Sequence, residues 1–430
     1  MKRLTFLQLN EMNFDILQRY IESGESFPGF EALLKIGIKH TSSEERYEEL
    51  EPWIQWPSAY TGLRYCEHGL FRLGEDSSSN IPNIFEHLSE RGISVSAVSP
   101  MNVAFKGGKV DVFVPDPWTE SLTDGSWRSR FVHSAIRRLV NENASGRLNI
   151  IALAKLGIVI IATLLPVKIL ALLRLAIRAR GSRALKAMFF DRVLYEIASS
   201  RAKELNVGLH SVFLNGVAHV QHHFFNDCKV ADVQSGNPAW YRDKVPDPIL
   251  VSYKAYDEIV LDALSREGSL LVVTGLSQTF YPEPLYYYRL KNPGDFISML
   301  NLPFRRVLPR MSRDFLVEFY DAGQANRCYD IFSRLTLRGV NLFGEMALEG
   351  SELFVSLTFG GEIRSSDFLD GPFDWIDVGS LVDFVALKNG HHVSKGYLLS
   401  DSRMLFNSFS DRGHVADVSK LISGFFAGEG

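Results

Sequence analysis

Two patterns of apolar positions alternate along this 430-residue chain. Short apolar runs with polar or turn residues at their ends occur at 4–9 (LTFLQL), 93–98 (ISVSAV), 209–214 (LHSVFL), 269–274 (SLLVVT) and 396–399 (GYLL). Runs of that length, rich in Leu, Val and Ile, predict buried strands. Between several of them the period is helical, over 14–22 and over 252–266, where Tyr253, Tyr256, Ile259, Val260 and Ala263 share one face. The alternation predicts an α/β fold, a three-layer sandwich built on a mostly parallel central sheet. Sites in such sheets form outside the carboxyl ends of the strands. The polar residues just past the first strand, Asn10, Glu11 and Asn13, therefore stand where chemistry is expected, although Asn10 and Asn13 also suit capping of the helix that follows.

Two segments break the rhythm. Residues 128–192 carry thirteen Lys/Arg against two acids, Glu142 and Asp191. Within them 150–177 is almost wholly apolar, interrupted by Lys155, Pro166, Lys168 and Arg174. The uninterrupted part, Leu156–Val167, falls short of the roughly 20 residues that cross a bilayer. A helical hairpin turned at Pro166 and lying on a membrane surface fits the charges best. A buried helix pair over a soluble core and a true span are the other two arrangements. The second break, 313–362, reads as a small α+β subdomain with a helix near 323–335. The expected organisation is thus 1–127 as the first part of the core, 128–192 as a helical insertion, 193–284 as core, 285–375 as a smaller α+β cap, and 376–430 completing the core.

Composition narrows the partners. A net charge of −4 gives no nucleic-acid signal, and 46% hydrophobic with 22% charged residues is ordinary for a globular core. Cys66, Cys228 and Cys328 lie far apart without CxxC spacing, which argues against a disulfide framework or thiolate zinc site and fits a reducing compartment. The opening MKRLTFLQLN turns polar at Gln8, unlike an export signal. A cytoplasmic location, peripheral to the inner face of the membrane through 128–192, is expected.

Four short motifs carry the candidate chemistry. Glu51–Glu75 contains Pro57, Thr61-Gly62 and, after a short gap, His68-Gly69. The strand 209–214 runs into Asn215-Gly216-Val217-Ala218-His219-Val220-Gln221-His222-His223, the strand 269–274 into Gly275-Leu276-Ser277, and His391-His392 precede Gly396. In this order the motifs resemble the alkaline phosphatase, type I phosphodiesterase and sulfatase superfamily. The resemblance spans both ends of the chain and leaves out roughly 128–192 and 285–375. It implies a metal-binding residue at Asn10 or Glu11, the better ligand being Glu11, whose carboxylate brings charge. It puts Gln55, two residues before Pro57, where the family has its nucleophile, with an interval from Pro57 to Thr61 three residues shorter than usual. A primary amide is no nucleophile. Ser58 and Thr61 are the nearest hydroxyls, and both also suit caps or packing. The family's Asp-x-x-x-His falls on Asn215 and His219, its Asp-His pair on Leu276-Ser277, which cannot serve, and its last histidine on His392, with His391 as the alternative. His222 and His223 read as surface or capping histidines.

What the resemblance implies is a metal-dependent phosphoester or sulfoester hydrolase or transferase. Its single divalent cation, zinc or manganese, would be held by Asn10, Glu11, Asn215, His219 and His392, with Gln55 and Ser58 at the catalytic position. The substrate would be an anionic small molecule, lipid-linked or glycan in nature, met at the membrane surface. The alternative is an inactive pseudoenzyme of the same fold that binds or scaffolds in surface glycan assembly. A membrane-embedded structural protein rests on 150–177 alone.

Overall fold

A computed structural model of the protein describes residues 2–143, 150–309 and 313–428. The chain divides into two compact units, one of Met1–Asp232, Arg242–Phe280 and Gly390–Gly430, the other of Val233–Tyr241 and Tyr281–Asn389.

The first unit is built on an eight-stranded sheet. In spatial order its strands are Arg412–His414, Lys39–Ser42, Gly396–Ser400, Ser269–Val273, Leu4–Leu9, Leu209–Leu214, Val95–Val98 and Val112–Val114. Gly396–Ser400 runs antiparallel to both its neighbours and the remaining pairings are parallel. The first strand is central and all six of its residues are buried, as a strand covered on both faces must be. Leu4 and Phe6 join a core with Trp56, Phe85 and Val418, which come from the helices Pro52–Thr61, Ile84–Glu90 and Asp417–Ala427. Alternation along the strand turns Thr5 and Leu7 to the opposite face. The helices Arg183–Leu205 and Pro248–Leu264 also pack on the sheet but contribute nothing to that core. The α/β class and mostly parallel sheet expected from the apolar pattern are what the chain forms.

The described residues of 128–192 lie mostly in helices, as the composition predicts: Trp127–Asn143, Ile150–Thr163, Pro166–Arg178 and the start of Arg183–Leu205. Pro166 opens its helix, where a missing N–H costs nothing because the first turn has no intrahelical acceptor for it. Among the described residues, no helix is long and apolar enough to cross a membrane.

The second unit has its own core under a four-stranded antiparallel sheet of Glu345–Glu349, Glu352–Ser356, Asp314–Glu318 and Arg306–Pro309. Phe332 and Phe343 stack there with ring centres 4.8 Å apart, beside Phe296 and Phe315. Two long paired strands, Ser277–Leu290 and Val382–Val393, carry the chain out of the first unit and back to it.

Candidate metal centre

Register brings distant residues to one edge of the large sheet. Leu9 pairs with Leu214 and Gln8 with Val273, so the three parallel strands end level with one another. Gly396–Ser400 is antiparallel to Ser269–Val273, which puts its beginning, and the residues just before it, at that same edge. Glu11 sits here in the left-handed region at φ 59°. A side chain with a Cβ adopts that conformation at a cost of about 1–2 kcal/mol. Three hydrogen bonds hold it. The Glu11 N–H donates to the Thr274 carbonyl at 3.1 Å, and the Glu11 carbonyl accepts from Gln221 Nε2 at 2.7 Å and from the Gln278 N–H at 3.2 Å.

The wholly buried carboxylate of Glu11 meets two imidazoles. Its Oε2 lies 3.1 Å from His392 Nε2 and 3.2 Å from His222 Nε2, and the two nitrogens are 3.3 Å apart. The far nitrogens fix the tautomers. His222 Nδ1 faces the Gly390 carbonyl at 3.3 Å and His392 Nδ1 faces the Glu51 carboxylate at 3.4 Å. Both partners accept, so each Nδ1 carries a proton, and a ring that is neutral turns an Nε2 lone pair toward the other and toward Glu11. Three lone pairs converging at these distances repel unless a positive charge stands among them, either a proton or a metal ion. Burial alone would raise the Glu11 pKa, but the His392 and His222 imidazoles beside it, through their charge when protonated and their hydrogen bonds, outweigh it and hold the carboxyl well below its ordinary range. A tetrahedral ion bound at about 2.0–2.1 Å sets its donors roughly 3.3 Å apart, so the spacing fits zinc without rearrangement. Two histidines and a carboxylate leave one tetrahedral position open, the pattern of catalytic rather than structural sites. Neighbouring amides brace the carboxylate. Gln278 Nε2 donates to Glu11 Oε2 and to the Ala218 carbonyl, and Asn10 Nδ2 donates to Glu11 Oε1 at 2.8 Å.

Of the residues singled out in the sequence, Glu11 and His392 meet in this cluster. Among the described residues, the group of three potential ligands is Glu11, His222 and His392, and Asn10, Asn215 and His219 are not part of it. Asn10 Oδ1 accepts from the Trp56 indole at 2.7 Å, and Asn10 Nδ2 donates to Asn215 Oδ1 at 2.7 Å. Gly275, at φ 75°, makes room for that indole, since a Cβ there would lie 3.1 Å from the Trp56 ring. His219 is exposed, with its ring 4.7 Å from that of His223. His222, read in the sequence as a surface or capping histidine, takes the place expected of His219: it lies about 40° of rotation from the buried Ala218, and the exposed His219 about 100°. Leu276 is buried, and the Ser277 hydroxyl is bonded to the Lys395 carbonyl.

Gln55 and Ser58 are wholly buried on the helix Pro52–Thr61, and neither is hydrogen-bonded to the cluster among the described residues. Gln55 Nε2 donates to the Glu49 carbonyl at 2.8 Å. The Leu70 N–H donates to His68 Nδ1 at 3.0 Å, which leaves the proton of the neutral ring on Nε2, 2.9 Å from Ser58 Oγ. A histidine that donates to the serine cannot take its proton, so His68 does not activate Ser58. Thr61 Oγ1 bonds back to the Pro57 carbonyl. Sequence reasoning missed His222, Glu51, Gln221 and Gln278. The clustering of three histidines in 219–223 was the one signal for the first of these.

No family model matches the chain, and no curated protein matches it. Solved structures similar to it include phosphonoacetate hydrolase from Sinorhizobium meliloti 1021, at 12% identity and TM-score 0.42, covering 99% of this chain and 96% of that one. Murine ectonucleotide pyrophosphatase/phosphodiesterase 5 is similar at 10% identity and TM-score 0.42, over 99% and 95%. Wild-type alkaline phosphatase PafA is similar at 10% identity and TM-score 0.45, over 99% and 96%. Likenesses this distant say nothing of this chain's chemistry.

Proposed function

We propose that the chain is a metal-dependent phosphoester hydrolase or transferase whose single divalent cation is held by Glu11, His222 and His392. The observation that carries this reading is the convergence of Glu11 Oε2, His222 Nε2 and His392 Nε2 to within 3.3 Å of one another, with the Nδ1 atoms facing the Gly390 carbonyl and the Glu51 carboxylate. When bound, zinc or manganese supplies a Lewis acid for a phosphoryl or sulfuryl oxygen. The chain's own part is to hold the donors. Gln278 and Asn10 fix the carboxylate, while Glu51 and the Gly390 carbonyl orient the rings. Gln55 and Ser58 offer no activated nucleophile, so the reading favours direct transfer to water or an acceptor hydroxyl over a covalent enzyme intermediate. An anionic substrate, lipid-linked or glycan in nature and met at the inner face of the membrane, accords with the basic helices of 128–192.

A second reading, a binding or scaffold protein on this fold, is favoured by the bonded pair Asn10 and Asn215 and by Leu276-Ser277, which stand where the resemblance calls for further ligands. Elemental analysis and hydrolysis of bis-p-nitrophenyl phosphate separate the two. The enzyme reading expects one zinc or manganese per chain and turnover lost on chelation. Two tightly held ions would overturn the ligand set, and no ion with no turnover would leave the scaffold reading.

A further inference from the structure

The helical hairpin Ile150–Arg178 presents an outer surface that none of the described residues covers. Ile158, Ile161, Leu165, Val167, Leu173 and Ile177 are between 50% and 73% exposed. Isolated exposed apolar residues are ordinary, but a run of them along one hairpin marks a surface that meets something else. The inner side packs normally, through Leu156, Val159, Leu164 and Leu172.

The charges around this face identify what it meets. The two lysines that interrupt the apolar run are turned inward, Lys155 Nζ to Ser134 Oγ at 2.8 Å and Lys168 Nζ to the Glu196 carboxylate at 2.5 Å. Arg174, Arg178, Arg180 and Lys186 remain exposed and make no ion pair among the described residues. Between Glu142 and Asp191 the sequence has no acidic residue at all. The face is therefore apolar at the turn, where Ile161, Leu165 and Val167 cluster, and toward its end the exposed charges interleaved with Leu173 and Ile177 are all cationic. A second copy of the same face would bring like charges together, which disfavours self-association through it. Hydrocarbon beside fixed negative charge complements both features, and an anionic bilayer surface offers the two together.

We propose that the hairpin Ile150–Arg178 docks on anionic membrane, with the turn at Leu165–Val167 inserted among the acyl chains and Arg174, Arg178, Arg180 and Lys186 on the headgroups. This deepens the reading above by placing the substrate at a bilayer, yet its test reads no catalysis, so either can fail without the other. The full chain is floated with vesicles of equal parts phosphatidylcholine and phosphatidylglycerol, and with phosphatidylcholine alone. It should float with the first, and raised salt should weaken the association. Arg174→Glu/Arg178→Glu should weaken it roughly ten-fold or more. Ile161→Asp/Leu165→Asp should abolish it, with unchanged thermal unfolding showing that the exposed positions leave the fold intact. Equal flotation with neutral vesicles at every salt concentration would overturn the electrostatic assignment. Failure to float, with the apolar face instead mediating a salt-insensitive dimer, would overturn the bilayer as its occupant.

Discussion

His222 and His219 are one helical turn apart, and only one of them meets Glu11. Replacing His222 or His392 by Ala should remove an imidazole from the three-donor set and lower zinc affinity by roughly a hundred-fold or more, read by competition with a chromogenic chelator. His219→Ala should leave affinity within about two-fold, since its ring lies beside His223 and outside the cluster. Glu51→Gln keeps the shape but weakens the acceptor for His392 Nδ1, and should cost about ten-fold. Equal losses from His219→Ala and His222→Ala would refute the assignment. Glu11 and His392 were singled out in the sequence through the family resemblance, Glu11 just past the first strand and His392 four residues before Gly396, which opens another. His222 was not, because spacing alone cannot say which face of a nine-residue helix turns inward. That is decided by Ala218 and Gln221, whose smallness and amide let the helix approach the first strand.

At the level of elements, the five strands picked out from apolar runs lie within about two residues of those runs, and Asn13 accepts from the Asp15 and Ile16 N–H groups as the cap expected of it does, while the caps at Ser182 and Asn292 were not singled out. What escaped is how the elements carry buried polar groups. His210, in the middle layer on Leu209–Leu214, is wholly buried, with Nε2 3.2 Å from Ser199 Oγ and Nδ1 without a partner. Burial, with a smaller contribution from Arg266, pushes its pKa down to about 3. The folded value is below the unfolded one of about 6.5, so the neutral ring contributes stability above pH 6.5 that is lost as pH falls from there toward 3. The expected slope is at most roughly 1.4 kcal/mol per pH unit in that window. His210→Gln should flatten the fall of the melting temperature between pH 6.5 and 4. An unchanged slope would assign the acid sensitivity to other groups.

For the whole molecule, the three donors stand at positions 11, 222 and 392, so a bound ion ties together stretches that meet only in the folded state. Binding to the native state alone adds about 2.7 kcal/mol when free ion exceeds its dissociation constant a hundred-fold. Zinc should therefore raise the melting temperature by a few degrees, chelator should reverse the shift, and His392→Ala should be blind to both. A melting temperature unmoved by zinc in the unaltered chain would count against a native-state site. At this scale the α/β core was plain from alternation, and so was the helical character of 128–192. The assignment of Val233–Tyr241 to the second unit was not, because that stretch has no period of its own and its membership depends on contacts with Tyr281–Asn389.

The backbone of Glu11 has a further consequence for how this chain can change over time. A left-handed turn suits glycine, and asparagine almost as well, so mutation toward either relieves strain while discarding the carboxylate. Durability and chemistry thus pull this one position in opposite directions. Glycine or asparagine in place of Glu11 would mark a relative that kept the fold and gave up the proposed metal site.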